Sequence, residues 1–140
     1  MRGNNQNIMP YAETQGGESV AVLGAGHGGM AMAAHLALMG HRVNLFNRGE
    51  ERLWGVRSSG AIEIIGEVEG FGELNMVTTS MEEAIRGVEL IMVVVPAFGH
   101  RWMAEQMAPH LTDGQIIVLH PGRTMGALEF RQVLSAAGVT

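Results

Sequence analysis

At 140 residues the chain is sized for one domain that buries roughly two thirds of the surface its unfolded form exposes, with no room for a second, substrate-binding domain. A net charge of −5 without a basic run argues against nucleic acid or an anionic membrane as a partner, and the absence of cysteine excludes disulfides and thiolate chemistry. Hydrophobic residues make up 46% of the chain but charged ones only 16%, below the usual quarter or so, which marks some of the surface as intended for a partner.

Residues 1–18 are rich in Asn, Gln and Gly, lack apolar periodicity, and read as a flexible leader ahead of a domain spanning 19–140. That domain opens on Ser19 to Leu23, an unbroken apolar run of the kind found in parallel strands buried on both faces. Directly after it comes Gly24-Ala25-Gly26-His27-Gly28-Gly29, in which Gly24, Gly26 and Gly29 fall on the spacing G-x-G-x-x-G. Each glycine has a mechanical reason to lack a side chain where a dinucleotide binds: a tight turn, close approach of the pyrophosphate, and close packing of helix on strand. The helix predicted from Gly28 to Met39 turns Met32, Leu36 and Met39 inward, ends at Gly40, and directs its unpaired N–H groups at the phosphates.

Val43 to Phe46 forms a second strand, ended by Asn47 and Arg48 where such a fold reads the adenosine ribose. An acidic residue there would bond the ribose hydroxyls and repel a 2′-phosphate. This chain offers an amide and a guanidinium, which favours NADP over NAD, with Arg52 as a second phosphate contact. NAD becomes the cofactor instead if Glu50 or Glu51 supplies the carboxylate.

Glu50 to Val56 reads as a short helix. Residues 60–66 and 74–77 read as short strands joined by a glycine-rich loop, an antiparallel excursion followed by a strand at Met76 to Thr78. Ser80-Met81-Glu82-Glu83 matches a capping box before a short helix. Leu90 to Val95 is the most apolar run and predicts a central parallel strand, so that Val95, Pro96, Ala97 and Phe98 at its end face the same crevice as the glycine turn. A helix from Gly99 to His110 packs through Trp102, Met103, Gln106 and Met107. A strand from Gln115 to Leu119 follows, with His120-Pro121-Gly122-Arg123-Thr124 at its end, and a last helix from Met125 to Ala137 turns Leu128, Val133 and Leu134 inward. The fold expected is α/β of the Rossmann, doubly wound kind: a mostly parallel sheet with helices on both faces and a small β-hairpin excursion near residues 60–77. The six histidines show no pair at ligand spacing, so no metal is expected; no run reaches the roughly 20 apolar residues of a membrane helix and no signal peptide is present, so the expected location is the cytoplasm.

The glycine turn, then Val94-Val95-Pro96-Ala97 with His100, then His120-Pro121-Gly122-Arg123-Thr124 with Gly126-Ala127-Leu128-Glu129-Phe130, resembles the N-terminal domain of the octopine/nopaline (opine) dehydrogenase family over residues 19–137. The resemblance implies an oxidoreductase that reductively condenses an amino acid with a 2-keto acid, using NADH or NADPH. It implies that Gly24, Ala25, Gly26, His27, Gly28 and Gly29 bind the pyrophosphate, that Asn47 and Arg48 read the ribose, that Val95, Pro96 and Ala97 line the nicotinamide side, and that Pro121 and Gly122 close the floor. In that family the catalytic histidine and aspartate belong to a helical C-terminal domain absent here, so no catalytic residue is assigned, His100 and His120 included, and the chain alone is expected to bind cofactor without turnover. A missing or separate catalytic domain is therefore the expected partner. Other readings are the coenzyme domain of a ketopantoate reductase or glycerol-3-phosphate dehydrogenase relative, disfavoured by the segment from Gly126 to Phe130, and a free-standing redox-sensing module, self-associated as a homo-oligomer.

Overall fold

The computed structural model describes residues 18–122 and 125–140. The leader through residue 17 and the two residues expected to precede the last helix, Arg123 and Thr124, lie outside the described residues.

Five strands form one parallel sheet: β1 (Ser19–Leu23), β2 (Arg42–Phe46), β5 (Met76–Thr78), β6 (Leu90–Val93) and β7 (Ile116–Leu119), in the order β5-β2-β1-β6-β7. A separate antiparallel pair, β3 (Ala61–Ile64) and β4 (Gly70–Glu73), makes the excursion. The chain walks outward from β1 through β2 to β5, then returns to lay β6 on the other side of β1. The order therefore reverses between β1 and β6, and in such sheets the crevice beyond the carboxyl ends of the strands at that reversal is where ligands bind.

Alternation along the strands divides the core in two. Val20 and Val22 of β1 join Val43, Leu45, Ala33, Leu53 and Val56 on one face. Ala21 and Leu23 join Phe46, Ile85, Ile91, Val93, Met103, Met107 and Phe130 on the other. Helices cover both faces, which is why β1 is apolar at consecutive positions, and each fully buried aliphatic or aromatic side chain contributes about 1.5–3 kcal/mol.

Helix α1 (His27–Leu38) packs through Gly29, Ala33 and Ala34. It ends with Gly40 at φ 92°, where the Gly40 and His41 N–H groups donate to the carbonyls of Ala37 and Leu36. Met39, expected inward, is 49% exposed, because the helix has already ended and the residue lies past the packed turns. The hairpin lies on α1: a Cβ on Gly72 would come within 2.5 Å of the Ala34 carbonyl oxygen. Helix α1 is thus enclosed on two sides, which accounts for its nearly uniform apolar sequence.

Three boundaries differ from expectation. The second hairpin strand is Gly70–Glu73, inside the segment expected to be loop, because tight packing against α1 selects glycine over β-branched residues there. The short helix expected at 50–56 is α2 (Trp54–Ser59), displaced by a turn that closes with the Leu53 N–H on the Glu50 carbonyl and terminated by Gly60 at φ 72°. Strand β6 stops at Val93, and the Val94 N–H donates to the Leu23 carbonyl as the chain leaves the sheet.

Helix α3 (Met81–Ile85) is capped by Ser80, whose hydroxyl accepts the Glu83 N–H at 3.3 Å. The return half of the capping box runs through Thr78, which donates to the Glu83 carboxylate and accepts the Ser80 N–H. Helix α4 (His100–Met107), entered through a 3₁₀ turn at Ala97–Gly99 and left through another at Ala108–His110, buries His100, Met103, Ala104 and Met107 at helical spacing. Gln106 falls off that stripe and is exposed. Helix α5 (Gly126–Ala136) packs through Phe130, with Val133 and Leu134 on the same face, and this leaves Leu128 on the opposite side at 55% exposure. Among the described residues, no helix is long and apolar enough to cross a membrane.

Candidate functional site

The glycine turn sits at the carboxyl end of β1, beside the reversal of strand order. Two of its glycines are required by the protein's own packing. Gly24 stands at φ 117°, where a Cβ would lie 2.3 Å from the Val94 carbonyl oxygen. A Cβ on Gly29 would lie 1.7 Å from the Gly24 carbonyl oxygen, because the first turn of α1 presses directly on the loop. Gly26 is different in kind. Its φ is −75°, ordinary for any residue, and among the described residues the only atom within 4 Å of its absent Cβ is Arg52 Nη1 at 3.4 Å. The space over Gly26 is open, and a side chain would fill it.

Gly26 is also the N-cap of α1. It offers no side chain to the first-turn N–H groups, and that turn carries no acidic residue. The helix therefore starts with donors that its own side chains leave uncapped, at the positive end of its dipole, in the arrangement that takes an anion. His27 and Gly28 in this turn are exposed, and a Cβ on Gly28 would meet only Val94 Cγ1, at 3.4 Å.

The end of β2 is tied to this turn. Asn47 Oδ1 accepts the Ala25 N–H at 3.0 Å, while its Nδ2 donates to the Gly49 carbonyl at 3.0 Å. Arg48, exposed, places its guanidinium carbon 4.9 Å from the centroid of the Trp102 ring. Arg57 takes Glu50 in a two-pronged ion pair at 2.8 and 3.0 Å and also donates to the Val77 carbonyl, so the Glu50 carboxylate is already engaged. Among the described residues no carboxylate lies within ion-pair distance of Arg48 or Arg52. The rim beside the glycine turn thus carries two guanidinium groups without carboxylate partners.

After β6, Val95 reaches under the loop, its Cγ1 3.0 Å from the Gly24 Cβ position, and the Pro96 carbonyl accepts the Gly99 N–H at 2.8 Å. Asn47, Arg48, Val95, Pro96, Phe98, Gly99, Trp102 and Met103 line a cleft of about 240 Å³. The fold thus gathers the glycine turn, the end of β2 and the end of β6. Ala97 is exposed in the 3₁₀ turn and does not line the cleft; Pro121 and Gly122 follow β7, one strand further along, are exposed, and do not line it either. His100 is 1% exposed, set edge-on to Phe130, with Nε2 lacking a hydrogen-bond partner among the described residues, and is buried away from solvent. Among the described residues, no cluster of three or more His, Asp or Glu could hold a metal ion.

Trp102 is the residue that sequence reasoning underrated, since helical spacing assigns it to the core. It is half-buried, stacked on Phe46 at 6.4 Å, and forms part of the cleft wall. Its signal was its position, three residues past the turn that follows β6. The residues present fit a dinucleotide: an open backbone position, an uncapped helix start, and basic side chains at the rim.

The family described as NAD-dependent glycerol-3-phosphate dehydrogenase N-terminus matches residues 19–124. The chain belongs to that family. It is an NAD-binding N-terminal domain, and its relatives are oxidoreductases. It is 38% identical over 122 residues to the opine dehydrogenase of Arthrobacter sp. (strain 1C), covering 86% of this chain and 34% of that protein. Against the glycerol-3-phosphate dehydrogenase [NAD(P)+] of Thioalkalivibrio sulfidiphilus (strain HL-EbGR7) it is 34% identical over 99 residues, covering 71% of this chain and 30% of that one. An octopine dehydrogenase solved with NADH and L-arginine shares the fold at a TM-score of 0.75 and 24% identity, over 86% of this chain and 32% of that one. The NAD-binding domain therefore spans about a third of the length of the relatives it matches.

Proposed function

We propose that this domain is the coenzyme-binding part of an opine dehydrogenase-type oxidoreductase, one that reductively condenses an amino acid with a 2-keto acid, and that its preferred cofactor is NADP(H). The observation that supports it is the open position over Gly26 at an uncapped helix start, flanked by Arg48 and Arg52. In this reading the loop from Gly24 through Ala25, Gly26, His27 and Gly28 to Gly29 presents its N–H groups to the pyrophosphate. Asn47 keeps the loop in register with β2, Arg48 meets the 2′-phosphate, and Val95, Pro96 and Ala97 lie toward the nicotinamide, with Pro121 and Gly122 beyond. Bound NAD(P)H supplies the hydride, and the protein's part is to bind and orient it. The acid–base groups belong to a catalytic domain outside these 140 residues. Adding that domain, or a co-expressed partner, is expected to give NADPH oxidation that requires both an amino acid and a 2-keto acid. No turnover in that reconstitution would overturn the opine reading.

A second reading, supported by the family match, makes this the coenzyme domain of a glycerol-3-phosphate dehydrogenase. The same reconstitution separates the two, because dihydroxyacetone phosphate alone would then support NAD(P)H oxidation.

Asn47→Asp tests the ribose assignment. The carboxylate still accepts the Ala25 N–H, which keeps the glycine loop tied to β2, but it gives up the Nδ2 bond to the Gly49 carbonyl and adds negative charge beside the place where a 2′-phosphate would sit. Calorimetry is expected to show NADPH affinity falling about tenfold while NADH affinity holds or rises, a swing of about 1.4 kcal/mol. Equal change for both cofactors would remove Asn47 from the reading site.

A further inference from the structure

An exposed arginine samples many rotamers, and among the described residues Arg48 has no ion pair to hold it. What restrains it is an aromatic ladder. Phe46, 1% exposed, ends β2 in the core; Trp102 of α4 stacks on it with ring centroids 6.4 Å apart and planes 23° from parallel. The Arg48 guanidinium then lies over the Trp102 ring at 4.9 Å. Phe46 is the last residue of β2 and Arg48 lies two residues on, in the bend that follows, where both reach the Trp102 ring of α4. The ladder leads from the sheet interior to the rim of the cleft. A guanidinium held by its face over a ring keeps its N–H donors unspent, and those donors suit the planar, forked recognition of a phosphate. The carboxylate nearest in sequence, Glu50, is already taken by Arg57.

We propose that Trp102 is the positioning residue for recognition of the cofactor's ribose monophosphate. By parking Arg48 at the rim, it sets the discrimination between 2′-phosphorylated and plain adenine dinucleotides. This rests on the dinucleotide reading above and adds a second residue, on a different element, to the selectivity. Its consequence is coupling: the two side chains act as one unit, and the loss of either removes the same preference.

The test is calorimetric titration of the 140-residue chain with NADPH and NADH, for wild type, Arg48→Ala, Trp102→Ala, Trp102→Phe and the Arg48→Ala/Trp102→Ala double variant. The readout is the ratio of the two dissociation constants. Trp102→Ala is expected to lower the NADPH preference about fivefold or more, Trp102→Phe to keep it within about twofold, and the double variant to match Arg48→Ala rather than add to it. A merely structural Trp102 would lower the melting temperature and leave the ratio unmoved, and that result overturns the proposal. No binding of either dinucleotide to the wild type would overturn the underlying reading itself. Should Trp102→Ala fail to fold, fluorescence decides: in a Trp54→Phe background the remaining indole is Trp102. Adenosine 2′,5′-bisphosphate is expected to change its emission in saturable fashion and 5′-AMP to change it far less, the difference vanishing in Arg48→Ala. Equal responses to the two nucleotides would overturn the proposal.

Discussion

Gly29→Ala is expected to destabilise the domain by about 3 kcal/mol or more, lowering the melting temperature by roughly 10 °C. The added methyl would stand 1.7 Å from the Gly24 carbonyl oxygen, far inside contact distance, and what it meets is backbone. Backbone cannot rotate aside as a flexible side chain can. Relief requires α1 to lift off the loop, and lifting it breaks the contacts of Ala33 and Ala34 with the sheet and hairpin that hold the helix in place. Thermal denaturation followed by circular dichroism reads the effect directly; an unchanged melting temperature would mean that the helix does not press on the turn.

Gly26→Ala is expected to do the opposite: leave the fold intact and remove the ligand. Residue 26 has an ordinary φ, and among the described residues its only neighbour at the Cβ position is the far end of the Arg52 side chain, so the melting temperature should move by no more than a few degrees. The methyl would occupy the space through which, in the proposed reading, a pyrophosphate reaches the helix-start N–H groups. Charge-assisted hydrogen bonds contribute about 1.5–3 kcal/mol each, so loss of one or two should weaken dinucleotide binding about 100-fold. Calorimetry on the two variants separates the roles. A Gly26→Ala chain that binds NADPH as tightly as the wild type would place the phosphates elsewhere.

Much of this architecture was legible because its causes are local. The run from Val20 to Leu23 is apolar at consecutive positions since both faces of β1 are covered, and the glycines at 24 and 29 are spaced by the geometry of the turn they build. Ser80 and Glu83 announced the start of α3 by the chemistry of capping. What escaped was decided across the chain. Gly70 to Glu73 has little strand propensity beyond Phe71, and Gly72 lets it lie against the backbone of Ala34, 38 residues earlier. Leu128 and Met39 look like core residues by type, and only the placement of Phe130 and Gly40 shows which turns of α5 and α1 reach the sheet.

The candidate site divides in the same way. Its glycine loop was readable from spacing, and the absence of a carboxylate at the β2 end from two residues, Asn47 and Arg48. The engagement of Glu50 by Arg57 was not, because a carboxylate near the ribose position could equally have faced the crevice. Nor was the stacking of Arg48 on Trp102, 54 residues away, which sets a surface arginine against the wall of the cleft.

In the proposed reading a 2′-phosphorylated dinucleotide binds at the glycine turn and is recognised through Arg48. Parallel calorimetric titration of the wild type and Arg48→Ala with NADPH and NADH tests it most directly. The wild type is expected to bind NADPH more tightly than NADH, and Arg48→Ala to lose about 1–3 kcal/mol of NADPH affinity with little change for NADH. Equal losses for the two cofactors, or none, would contradict it.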